Sequence, residues 1–159
     1  REARGEWILY FAADLAAEPE DLARFFAAAE IAPIILGQRS RRHDSTVFRE
    51  IISFGNNFLV RLLFRLPLNH FTFANMYRTS VVREFRLEYP GSAFFYAEIV
   101  IKAKALGHSF AEIPVRYLPR RRGTATGSRL GLIFGTLYDL LHFWVRWVRT
   151  TDPRSFRVP

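Results

Sequence analysis

Several short constellations in this 159-residue chain carry side chains able to do chemistry. Asp14 stands two residues beyond the apolar run Trp7-Ile8-Leu9-Tyr10-Phe11-Ala12, a lone carboxylate able to hold a metal. Glu18, Glu20 and Asp21 follow it, and crowded at a helix start they read as capping rather than as ligands. Arg39 ends the apolar Ile34-Ile35-Leu36 segment and opens a basic loop with Arg41, Arg42 and His43. Arg49, Ser53 and Asn57 recur every four residues, so on a helix they stack along one line. His70 offers an imidazole that can hydrogen-bond a phosphate or shuttle a proton, the alternative being a surface or packing role. The run from Arg120 to Ser128, Arg-Arg-Arg-Gly-Thr-Ala-Thr-Gly-Ser, sets three guanidinium groups beside glycines and hydroxyls. Such a donor-rich loop can wrap a phosphate, or it is a basic connector without a ligand.

These groups need elements to position them. Trp7–Ala12 reads as a strand buried on both faces of a parallel sheet, which puts Asp14 at a carboxyl strand end, where open α/β sheets bind ligands. A helix from Pro19 to Ala29 carries Leu22, Phe25, Phe26 and Ala29 on one face, and Ile34–Leu36 is a second strand. Thr46–Arg65 is a long helix expected to bury Val47, Phe48, Ile51, Ile52, Phe58, Leu59, Leu62 and Leu63, with Arg49, Ser53, Asn56, Asn57, Arg61 and Arg65 turned away. Gly55 within it suggests close packing. Pro67 ends that helix, and the stretch to Arg78 reads as a loop. Tyr96–Leu106 is a helix closed by Gly107, and Phe110–Tyr117 an edge strand, since Pro114 cannot donate to a ladder. Leu130–Arg149 is apolar around most of its girth, with Gly135, Asp139, His142, Arg146 and Arg149 as one polar stripe. Its charges disfavour spanning a bilayer, and Trp144 and Trp147 with Arg129, Arg146 and Arg149 suit a helix lying on an anionic membrane. Packing into the chain's own core or against a dimer partner is the competing reading. The tail from Thr150 to Pro159 reads as unstructured.

Composition narrows the classes. The formal charge is +8, and it is uneven. Residues 1–36 carry three Arg against seven Asp or Glu, a balance of −4, whereas residues 37–159 carry twenty basic against eight acidic, a balance of +12. All the basic residues except Lys102 and Lys104 are Arg, whose planar fork matches phosphate oxygens, although a compositional bias would give the same count. No cysteine is present, which removes disulfide and thiolate chemistry and suits a reducing, cytoplasmic setting. The aromatic residues fall at core positions and form no stacking platform, so nucleic acid is not an expected partner.

In order and spacing, these segments resemble the family 2 glycosyltransferases of the GT-A fold, nearest to those that glycosylate polyprenyl phosphates, such as dolichol-phosphate mannose synthases. The resemblance runs from Gly5 to about Arg149, and its most specific stretch is Glu98 through Ile113-Pro114-Val115 to Gly123. It implies a partial GT-A (Rossmann-like) mixed sheet flanked by helices over residues 1–128, an amphipathic membrane-proximal helix over 129–149 and a tail over 150–159. By the same resemblance, Asp14 belongs to the Asp-X-Asp segment that grips a divalent metal (Mg or Mn), and His70 stands at an acceptor-side Asp position. Glu98 follows an aromatic-rich run as an acceptor-site Glu, while Arg39, Arg49, Arg120, Arg122, Gly123 and Thr124 approach phosphates. In such relatives an acceptor phosphate attacks the anomeric carbon of a nucleotide sugar with inversion. This chain has Ala12, Asp14 and Ala16 where the family has Asp, Asp and often Gln, so impaired or absent turnover is expected. The strands that hold the nucleobase in relatives have no counterpart before Trp7, and the only methionine is Met76, which fits a piece of a longer protein. The Trp7–Ala12 strand is then expected to leave one edge open. The alternative to a transferase is a non-catalytic module binding a membrane surface or a lipid phosphate; either would be peripheral at the cytoplasmic side of a membrane.

Overall fold

The computed structural model describes residues 2–11, 19–39, 47–68, 71–116, 130–150 and 153–157. In chain order these form β1 (Trp7–Tyr10), α1 (Pro19–Ala28), β2 (Ile34–Arg39), α2 (Val47–Phe64), β3 (Asn75–Arg78), α3 (Thr79–Arg83), α4 (Phe95–Ala105), β4 (Phe110–Val115) and α5 (Leu130–Arg149). A single 3-10 turn, Pro153–Phe156, follows. The fold is mixed α/β: one four-stranded sheet in the order β1-β3-β2-β4, with helices against both faces.

Strand alternation separates the two cores. Ile34 and Leu36 of β2, with Tyr77 of β3, join Val60 and Phe64 of α2, the buried length of α4, and Leu140 and Phe143 of α5. Ile35, Met76 and Val115 point the other way, onto Phe25 and Ala28 of α1. Gly37 is where the second core is tightest. A Cβ there would lie 2.8 Å from the Ala74 carbonyl oxygen and 2.9 Å from Val115 Cγ2, so only glycine lets β2 pass.

β1 departs from expectation. It pairs with β3 alone and antiparallel, Tyr10 opposite Asn75, and its side chains are half-buried rather than enclosed on both faces. Among the described residues its other edge is open, as expected from the sequence. β4 is the opposite edge, parallel to β2, and Pro114 lies within it opposite Gln38.

α4 is closed as its sequence indicates. Gly107 has φ +86, His108 N–H bonds the Ala103 carbonyl at 3.1 Å and Gly107 N–H that of Lys104 at 2.9 Å, a Schellman ending. α2 is different from its sequence pattern. Asn57 is buried beside Val60, while Ile51, Phe58 and Leu62 are exposed together with Phe54, and Gly55 has nothing within 4 Å of its would-be Cβ. Phe26 of α1 is likewise exposed. The tail is not wholly irregular, because Phe156 stacks on Trp147 at 5.1 Å and Arg157 bridges to Phe85.

The two glycines predict opposite outcomes. Gly37→Ala forces backbone and Val115 apart and is expected to cost roughly 1–3 kcal/mol in urea denaturation. Gly55→Ala, on an exposed helix face, is expected to stabilise by roughly 0.5–1 kcal/mol in the same measurement.

Candidate functional site at the carboxyl edge of the sheet

β1, β2 and β4 all run one way and β3 runs back between them. Their carboxyl ends, at Tyr10, Arg39 and Val115, therefore share one edge, and β3 enters from that edge at Asn75, which lies opposite both Tyr10 and Leu36. The Asp21 carboxylate fastens this edge to α1. It is buried, accepts the Arg116 N–H at 3.0 Å just past β4, and pairs with Arg24 at 3.1 Å. What the sequence reads as an acidic cap is thus also a clamp between elements.

Two tyrosines meet at the edge, and a third, Tyr77, lies deeper in β3 opposite Ile8 and Ile34. The Tyr10 and Tyr96 rings meet edge-to-face with centroids 5.0 Å apart, Tyr10 being partly exposed and Tyr96 half-buried at the start of α4. Burial, together with the neighbouring Tyr10 hydroxyl, pushes the Tyr96 hydroxyl well above its ordinary value, and burial does the same for Tyr77. Tyr96 therefore offers a neutral O–H group at neutral pH, a donor for an oxyanion or sugar oxygen rather than a base, whereas Tyr77 is enclosed in the core. Asn75 donates from Nδ2 to the Phe71 carbonyl at 2.8 Å, and its side chain lies beside the buried Tyr77 hydroxyl. Only the aromatic run Phe94-Phe95-Tyr96 marked any of this in the sequence.

The residues singled out from sequence divide sharply. Asp14, His70, Arg120, Arg122, Gly123 and Thr124 lie outside the described residues. Arg39 closes β2 and Arg49 sits in the first turn of α2, both described by backbone alone. Among the described residues no three His, Asp or Glu side chains are grouped to hold a metal ion.

Glu98 is fully described, and its carboxylate is committed inside the protein. Oε1 accepts the Glu88 N–H at 2.7 Å and Oε2 the Tyr89 N–H at 3.0 Å, while Lys102, one turn on, reaches Oε1 at 2.7 Å. Neither side chain has measurable contact with water beyond 1%. The Lys102 ammonium completes its three donations with the Arg86 carbonyl at 2.7 Å and Glu88 Oε1 at 3.1 Å. Glu88 in turn pairs with Arg146 of α5. Burial works to raise the Glu88 carboxyl, but its bonds to Lys102 and Arg146, with their charges, outweigh that and hold it below the ordinary carboxylate range. Beside this network a groove of about 340 Å³ runs between the 88–92 loop and the first half of α5, lined by Tyr89, Ser92, Gly135 and Asp139 among others. Glu88 and Lys102 carried no expectation from sequence. The Glu-X-X-X-Lys spacing of Glu98 and Lys102 was the available signal.

Neither a protein-family model nor a curated protein sequence matches this chain.

Lys102→Met strands the buried Glu98 carboxylate, and a loss of roughly 3–5 kcal/mol is expected in urea denaturation, partly recovered in the Glu98→Gln/Lys102→Met pair. The pH dependence follows from Glu88. Its folded value is depressed from 4.5, so its stabilising share is complete above that value and is lost as pH falls through the folded one. Glu88→Gln is expected to flatten the acid limb of the stability profile, read by thermal melts across a pH series.

Proposed function

We propose that this chain is a glycosyltransferase-like protein related to enzymes that move a sugar from a nucleotide sugar to a polyprenyl phosphate, keeping phosphate recognition while turnover is impaired. With this goes the finer fold reading of a partial GT-A sheet, peripheral at the cytoplasmic face of a membrane. The observation that carries the proposal is the common direction of β1, β2 and β4. In sequence, the segments bearing Asp14, Arg39 and Arg120–Thr124 each continue from a carboxyl strand end, and His70 shortly precedes β3, which enters at that edge. The described strand ends next to these motifs in sequence share the edge where open α/β sheets take ligands, which supports the reading.

The chemistry fits a diphosphate. Its oxygens suit the forked donors of Arg39, Arg120 and Arg122, and the Tyr10 and Tyr96 hydroxyls stand at the same edge for a neutral oxygen. An acceptor phosphate is already anionic, so stabilising the departing diphosphate matters more than a strong base. Asp14 alone is a poor metal site with Ala12 and Ala16 beside it, and the phosphate-binding role rests on the Arg groups. Glu98 supports the edge indirectly by fixing the 88–89 backbone.

Calorimetric titration with UDP- and GDP-sugars, with and without Mn²⁺, tests this. Binding that weakens by about tenfold or more in Arg39→Ala and in Arg120→Ala/Arg122→Ala is expected, since each removes a charge-assisted bond. A folded chain that binds neither nucleotide sugars nor a short-chain polyprenyl phosphate would overturn the proposal.

A further inference from the structure

α5 divides its girth among three surroundings. It is 20 residues long, and no helix among the described residues is long and apolar enough to cross a membrane. Leu140 and Phe143 are wholly buried, with Trp144 and Trp147 packed beside them, so the tryptophans belong to the core and are not outward anchors. Phe134, Tyr138, Leu141 and Val145 are exposed. A third line, Gly131, Gly135 and Asp139 at intervals of four, borders the groove of about 340 Å³ beside the 88–92 loop. A Cβ at Gly131 or Gly135 would meet nothing within 4 Å, so packing among the described residues does not call for glycine at either place. Glycine inside a helix is unfavourable, and what Gly135 contributes here is space, bare backbone as the groove floor. The opposite wall is held firmly. Glu98 takes the N–H groups of Glu88 and Tyr89, Ser92 N–H bonds the Tyr89 carbonyl at 3.1 Å, and the Ser92 hydroxyl accepts the Phe94 N–H at 3.1 Å. α5 is fixed to this loop by Arg146, which pairs with Glu88, and by His142, whose Nδ1 lies 2.8 Å from the Tyr89 hydroxyl. The groove is therefore formed before any ligand arrives.

The charge balance of the groove identifies its ligand. Among the described residues its lining carries two carboxylates and no Arg, Lys or His. Glu88 is answered twice, by Lys102 at 3.1 Å and by Arg146. Asp139 is half-buried and has no cationic partner within ion-pair distance among the described residues. A carboxylate so placed repels anions, which separates this groove from the phosphate chemistry proposed for the sheet edge, and it favours one positive charge. Most of the remaining lining, Tyr89, Pro90, Leu132 and bare glycine, suits an apolar body. An aromatic ring beside a carboxylate is a pairing that holds an organic cation. The volume is at the small end for a ligand pocket and fits one compact molecule, not a folded partner. We infer that the groove between the 88–92 loop and α5 binds a small organic ammonium ion, with its cationic nitrogen at Asp139 and its apolar body along Tyr89, Pro90 and the Gly131–Gly135 floor.

This site does not depend on nucleotide-sugar recognition at the sheet edge, and no probe for it carries a phosphate or a sugar. Benzylamine, benzyl alcohol and benzoate are close in shape and differ in charge, and each is titrated into the isotope-labelled full chain by amide NMR. Benzylamine is expected to shift the Gly91, Gly131 and Gly135 amide signals together, with benzyl alcohol binding about tenfold or more weakly and benzoate leaving them in place. Asp139→Asn is expected to bring benzylamine down to the level of benzyl alcohol. Gly135→Leu, which fills open space, is expected to abolish both with the circular dichroism spectrum unchanged. Equal affinity for the amine and the alcohol, shifts caused by benzoate, or an Asp139→Asn chain that binds benzylamine like the parent would overturn the inference. So would amine-induced shifts confined to other glycines, or no shift at all.

Discussion

A lysine ammonium with almost no access to water sets the terms for one whole side of this fold. An unpaired charge at the Lys102 position would be prohibitive, so each of its protons must find an acceptor in the protein. Glu98 Oε1, Glu88 Oε1 and the Arg86 carbonyl supply them, and those three acceptors come from α4 and from the loop that precedes it. Glu98 then needs donors of its own and takes the backbone N–H groups of residues 88 and 89, which fixes the loop. The rings of Phe143 and Phe156 lie 5.4 Å and 5.3 Å from the same ammonium, drawing α5 and the tail turn over it. A single buried cation thus ties together four segments of the chain.

The two faces of the sheet divide the work. On one, α1 is the helix that covers the strands among the described residues, pinned by Asp21 at the β4 end. On the other, α2, α4 and α5 share the larger core with the Lys102 network at its margin. Because β1 leads through α1 to β2 in the same direction, the chain must place loop after loop at one edge, and that is also where β4 ends. The shared edge follows from connectivity, before any side chain is considered.

Much of this was legible in the residues. α1, α4 and α5 fall within a residue or two of their sequence limits, Gly107 closes α4, and Pro114 marks an edge strand, because caps, periodicity and proline act locally. β3 was not legible. Asn75-Met76-Tyr77-Arg78 lacks alternation since both faces of a central strand are buried, and its membership depends on pairing with residues 65 or more positions away in β1. Glu98 was found but its surroundings were not. A carboxylate whose partners are the N–H groups of residues 88 and 89 and a lysine one turn on leaves little trace beyond a helical Glu–Lys spacing. At the edge itself, Tyr10 and Tyr96 read as ordinary apolar bulk until two distant elements brought their rings together.

The most instructive mismatch lies in α2. Treating every apolar position as one inward face is natural when a helix serves a single core, and it placed Ile51, Phe58 and Leu62 inside and Asn57 outside. A helix with apolar residues on two faces has no single period that separates inside from outside, and the face chosen by the core is decided by shape: Val60 and Phe64 fit against Leu140 and Phe143. The remaining apolar stripe then persists at the surface among the described residues. α5 shows the same pattern, its polar stripe serving as the seam along which the 88–92 loop attaches. Two neighbouring helices thus each bury one apolar face in the shared core and turn another outward.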